Sequence, residues 1–251
     1  MAGGVAPGSE AVGAPLRVGL LLCDHLDDDV AARVGDYTEL FPDVFAPVGL
    51  ELVTYDATRG ELPSDTAECA GWIVSGSRRS VYEDEPWIRH LQDFVRRVVE
   101  DRQRLVGVCF GHQMTAQALG GTVEAAETGW GVGVRRFRVV EPAPWMDPVD
   151  GFTILMSHRD QVTRLPDGAQ VIATAEYCPV GAYRIDDHVF CVQGHPEWVP
   201  ELSRTLMEQR RAVIGDDVVD EGLASLEVPV DRAPMARWIS AFLRGTDPTG
   251  R

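Results

Sequence analysis

The chain has 251 residues, 45% of them hydrophobic, and a formal net charge of −16. That acidity argues against a nucleic-acid partner, because phosphates are repelled, and no run of 18 apolar residues offers a membrane span. All 23 basic residues are arginine, which removes Schiff-base lysines and phosphate-binding P-loop lysines from consideration.

Residues 1–15 lack a basic start and an apolar core, so they read as a disordered tail and not as a signal peptide. Cys23, Cys69, Cys109, Cys178 and Cys191 are odd in number, unpaired in spacing and without zinc-type clustering. They predict reduced thiols in the cytoplasm and no metal. No glycine-rich nucleotide fingerprint is present, and no cofactor is expected.

Along the chain, residues 17–23 form an apolar run suited to a buried parallel strand. A helix is predicted over 36–48, with further strands at 51–55 and 71–75. Residues 87–102 are the clearest helix: Trp87, Ile88, Leu91, Phe94, Val95, Val98 and Val99 recur at threes and fours. A strand at 104–108 leads into a helix over 112–120. This alternation predicts a three-layer α/β sandwich with a largely parallel central sheet. Catalytic loops are then expected at the carboxyl ends of the strands. Between 122 and 190 the pattern shifts to short strands, which predicts a few added antiparallel strands. A charged helix is predicted at 201–214, an acidic surface excursion at 216–230, and a last helix at 233–243. Three regions result: a tail at 1–15, one domain at 16–214, and the 215–251 segment packed on that domain.

The run Gly107-Val-Cys-Phe-Gly-His-Gln113 carries the most chemistry. It sets Cys109 on a tight turn between an apolar strand and a helix, where a side chain stands exposed above the sheet in a strained backbone. The helix start favours thiolate over thiol. Downstream, Gly194-His-Pro-Glu197 puts His195 and Glu197 two apart. On an extended loop they share a face. Glu197 then orients one ring nitrogen and leaves the other for Cys109, the arrangement of nucleophile, base and orienting group.

These motifs resemble the class I glutamine amidotransferases, in the branch that holds the glutaminase domain of GMP synthase. Three more segments are similar to that branch: Trp72-Ile-Val-Ser-Gly-Ser-Arg-Arg-Ser-Val-Tyr-Glu-Asp84, Glu127-Thr-Gly-Trp-Gly131 and Met156-Ser-His-Arg-Asp-Gln-Val162. The resemblance spans residues 17–212. It implies a Cys109 thioester formed from a γ-glutamyl amide, with an oxyanion hole of the Gly76 and Phe110 N–H groups. It also implies that Gln113 binds the glutamyl group. Ser157, His158, Arg159 and Asp160 form a second candidate wall, Asp160 suiting an amino group and Arg159 a carboxylate.

The oxyanion loop departs from the family, with Gly76-Ser77-Arg78 where Gly-Gly-Pro is usual. Stand-alone γ-glutamyl peptidases of the same branch carry a similar Ser-Gly-Ser. The leading expectation is glutamine hydrolysis supplying ammonia to a separate synthetase partner. The alternative is a γ-glutamyl peptidase acting on small γ-glutamyl conjugates. A catalytically silent binding module is the third reading, and intact Cys109, His195 and Glu197 disfavour it.

Overall fold

Short apolar runs, three of them without a single polar side chain, make the centre of the protein. In the computed structural model, which describes residues 14–247, β1 (Leu16–Leu22) leads through α1 (Asp28–Val34) and α2 (Tyr37–Phe45) to β2 (Leu50–Asp56). Then come β3 (Trp72–Val74), α3 (Pro86–Glu100), β4 (Leu105–Val108) and α4 (Phe110–Ala118). The strands β5 (Thr122–Ala125), β6 (Gly131–Val139), β7 (Gly151–His158), β8 (Asp160–Arg164), β9 (Ala169–Ala175), β10 (Cys178–Ile185) and β11 (Val189–Val192) follow. Last are α5 (Pro200–Gln209), α6 (Arg211–Ile214), α7 (Asp216–Ser225) and α8 (Arg232–Arg244).

The main sheet has nine strands in the order β2-β1-β3-β4-β11-β10-β9-β6-β7. From β2 to β11 every pairing is parallel. From β11 to β7 every pairing is antiparallel. The two halves meet at β11, whose carboxyl end lies beside that of β4: Cys191 pairs with Gly107 and Val192 with Val108. Parallel register thus places the loop after Val192 next to Cys109.

Both faces of the sheet are covered. Val18, Leu20 and Leu22 of β1 point into a core shared with α1, α2, α5, α7 and α8. Leu21 points into the opposite core, with α3, α4, β5 and β8. A strand buried on both sides must be apolar throughout, which is why β4 and β11 read as continuous hydrophobic runs.

Several expectations need correction. The expected tail lies outside the described residues except for Ala14 and Pro15. The helix expected over 36–48 is α2, ending at Phe45 in a 3-10 turn at Ala46–Val48. Helix α1 and the β5–β8 pair go unassigned by periodicity, being seven residues or shorter. The helix expected at 201–214 breaks at Arg210 into α5 and α6. The acidic stretch 216–230 is no mere surface excursion, because it contains α7. Its inner face is narrow: Val219 is fully buried, and a Cβ at Gly222 would lie 2.6 Å from Met207 Sδ. A helix that packs through a valine and a glycine leaves an acidic, surface-like composition.

Candidate active site

The turn from β4 to α4 is so tight that the strain falls on the cysteine itself. Cys109 has φ 52° and ψ −101°, a conformation costing about 1–3 kcal/mol for a residue with a Cβ. The flanking glycines serve another purpose, since neither adopts positive φ. A Cβ on Gly107 would lie 2.5 Å from the Gly111 carbonyl oxygen, and one on Gly111 2.2 Å from the Val74 oxygen. They let α4 press onto β3 and β4. Helix α4 starts at Phe110, two residues earlier than periodicity suggests. As the first helical residue, Phe110 has an N–H without an intrahelical acceptor.

The loop after β11 brings His195 alongside. The His195 N–H donates to the Leu155 carbonyl at 2.9 Å, anchoring the loop on β7. Its Nδ1 donates to Glu197 Oε1 at 2.7 Å, and the Glu197 side chain is wholly buried. The remaining nitrogen, Nε2, is buried with no hydrogen-bond partner among the described residues. Burial alone would lower the basicity of His195. Its interactions with Cys109 and Glu197 outweigh burial and raise the imidazole pKa above its ordinary value, which favours a protonated ring.

Three further residues hold this group, and the sequence reading assigns none of them. Trp198 stacks on the imidazole with ring centroids 4.0 Å apart and planes at 19°. Arg232, from the start of α8, donates to the carbonyls of Pro196 at 3.0 Å and Glu197 at 3.1 Å. Gln193, fully buried, donates through Nε2 to Cys109 Sγ at 3.7 Å. Trp198 and Gln193 flank the Gly194-His-Pro-Glu197 run, so a buried aromatic and amide beside that motif were the available signals. Arg232 lies 35 positions from Glu197 and has no local signal.

Beside Cys109 opens a cavity of ≈ 230 Å³, lined also by Gln113, Trp130, Ser157, His158, Arg159 and Asp160. Gln113 spends both amide hydrogens on protein, donating to the Asp160 carbonyl at 2.7 Å and to Gln193 Oε1 at 3.2 Å. Its carbonyl oxygen is left to accept. The Asp160 carboxylate accepts from Ser80 Oγ at 2.5 Å. Arg159 makes no ion pair or side-chain hydrogen bond among the described residues. His158 donates through Nδ1 to the Asp160 carbonyl at 3.1 Å. Burial, with added repulsion from His195, holds its pKa down at about 4, so it is neutral. His112 is likewise neutral, pushed down to about 3 by burial, and packs on Tyr183.

Gly76 faces the same centre: a Cβ there would lie 2.8 Å from His195 Cε1 and 3.7 Å from Cys109 Cβ. The loop beyond it is tied elsewhere. Arg78 turns to Asp24, Asp27 and the His25 carbonyl, and Arg79 to Glu83 at 3.1 Å. Glu83 also accepts from the Ser80 N–H at 2.8 Å, whereas Tyr82 stands 51% exposed. Among the described residues no three metal-capable side chains converge, and no helix is long and apolar enough to cross a membrane.

A family model described as glutamine amidotransferase class-I matches residues 37–213. Gamma-glutamyl peptidase 3 of Arabidopsis thaliana is 26% identical over 241 residues, covering 91% of this chain and 97% of that protein. GMP synthase [glutamine-hydrolyzing] of Porphyromonas gingivalis is 34% identical over 139 residues, 55% of this chain and 26% of that protein. A solved glutamine amidotransferase from Thermotoga maritima superposes with TM-score 0.70 at 18% identity, covering 91% of this chain and 96% of that one.

Proposed function

The chain belongs to the class-I glutamine amidotransferase family, and from that premise we propose that it hydrolyses a γ-glutamyl amide through a thioester on Cys109. The observation that carries the reading is the convergence of a strained Cys109, the Glu197-oriented His195 and a polar cavity at one strand end.

The Cys109 thiolate attacks the γ-carbonyl carbon. The tetrahedral oxyanion is held by the N–H groups of Gly76 and Phe110; one such donor is worth about 10²–10³ in turnover. Collapse expels the leaving nitrogen with a proton from His195. Neutral His195 then takes a proton from water, whose oxygen attacks the thioester carbonyl. Glutamate leaves, and the thiolate–imidazolium pair is restored. Glu197 keeps the proton on Nδ1 and stabilises the imidazolium. Gln113 and the 157–160 wall bind the glutamyl group, with Arg159 on its α-carboxylate and Asp160 on its α-amine.

Two leaving groups fit this chemistry. Likeness over nearly the whole of a γ-glutamyl peptidase favours the amine of a small conjugate. Likeness to one quarter of a GMP synthase favours ammonia from glutamine, passed to a separate synthetase. Glutamate release from glutamine and from γ-glutamyl dipeptides tests the core reading. Release is expected to vanish in Cys109→Ala, and undiminished release from that variant would refute the mechanism.

A further inference from the structure

The cavity beside Cys109 does not end at the glutamyl wall. Arg78, Arg79, Trp130 and Arg210 line it, and the same four residues line a second cavity of ≈ 520 Å³. That trough runs outward over Leu26, Leu206, Gln209 and Val213. Ammonia needs about one water's share of space, ~30 Å³, so glutamine hydrolysis leaves such a trough unused.

Its charge is uneven. The acids in its wall, Asp27 and Glu83, are bound to Arg78 and Arg79. Arg210 is half-buried at the junction of α5 and α6, and makes no ion pair or side-chain hydrogen bond among the described residues. A partly desolvated guanidinium is best satisfied by a carboxylate, which it can engage through two N–H groups. Beside it Leu206, Trp130 and Val213 offer apolar surface, and Val213 is 70% exposed. In a protein of net charge −16, an unpaired cation next to an apolar strip selects for one kind of ligand.

We propose that this trough is the leaving-group subsite and that Arg210 determines specificity there. It selects γ-glutamyl conjugates whose departing amine carries a carboxylate and an apolar side chain, such as γ-glutamyl amino acids and short peptides. Cationic leaving amines are repelled. The assignment rests on the γ-glutamyl hydrolase reading and extends it from the reacting amide to the group beyond.

The test compares kcat/KM of the full chain for γ-glutamyl-leucine, its C-terminal amide and γ-glutamyl-putrescine, with glutamine and Cys109→Ala as references. The acid is expected to exceed its amide by tenfold or more, mostly through KM, a size typical of a hydrogen bond to a charged group. The cation is expected to be the poorest conjugate. Arg210→Gln should bring the acid-to-amide ratio close to one, and Arg210→Glu should invert the ranking of acid and cation. Equal handling of the three conjugates by the wild type, an unchanged ratio in Arg210→Gln, or turnover of glutamine alone would overturn the subsite and leave the hydrolase standing. Absence of Cys109-dependent glutamate release from every compound would overturn both. The wild-type series decides the matter even if a variant fails to fold.

Discussion

Gly76→Ala isolates the geometry of the site from its donors, because the N–H of residue 76 survives the change. The added Cβ would lie 2.8 Å from His195 Cε1. Ordinary carbon contacts begin near 3.5 Å, so the two groups must separate by about 0.7 Å. The imidazole has little freedom to yield, being held by Trp198 at 4.0 Å on its face and by Glu197 at 2.7 Å on its edge. The loop or the ring must then shift, and misplacement on the order of 1 Å costs about 10²-fold in rate. We expect kcat/KM for glutamate release to fall about 100-fold. Overpacking of this kind costs about 1–3 kcal/mol, or some 2–12 °C in Tm for a chain of this size, so the folded state should persist. The assay is steady-state glutamate release alongside thermal unfolding. Turnover within about threefold of wild type, from a variant carrying the extra methyl, would refute the claim that His195 is rigidly placed against Gly76.

Trp198→Ala removes a buried indole from the imidazole face and is expected to destabilise by about 3–5 kcal/mol, read as a drop in Tm, with a loss of kcat beyond that of a surface tryptophan variant; an unchanged Tm would contradict the packing. Arg232→Ala frees the carbonyls of Pro196 and Glu197, and kcat is expected to fall roughly tenfold, while unchanged kcat would mean the loop holds itself. His25 bridges Asp36 at 2.7 Å and Asp56 at 2.8 Å. Burial alone would lower its pKa, but the two carboxylates raise it. Its contribution to stability is therefore complete below the unfolded value near 6.5 and is lost as pH rises through the higher folded value. His25→Gln should flatten the fall in Tm over that upper window, measured by unfolding from pH 6 to 9; an identical pH slope in both proteins would refute the bridge.

What could be read from the chain directly was whatever is settled within a few residues. Apolar run, glycine, cysteine, glycine and helix are contiguous from 104 to 120, so the turn holding Cys109 follows from local backbone chemistry. The same holds for His195 and Glu197, two positions apart on one extended loop, and for α3, whose periodicity spans four turns. Local reading failed where partners are distant or the signal is short. Helix α7 buries too few large side chains to mark itself. Arg78 and Arg79 line the trough but are paired to acids of their own, Arg78 to Asp24 and Asp27 from the loop after β1 and Arg79 to Glu83. The unpaired guanidinium in the trough is instead Arg210, set by a break between two helices. Parallel pairing of β4 with β11 brings residue 109 to residue 195 and Gln193 to the sulfur, whereas Arg232 reaches the loop from α8. Backbone geometry is encoded locally, whereas burial and charge pairing depend on which segments meet, and that was decided by the sheet.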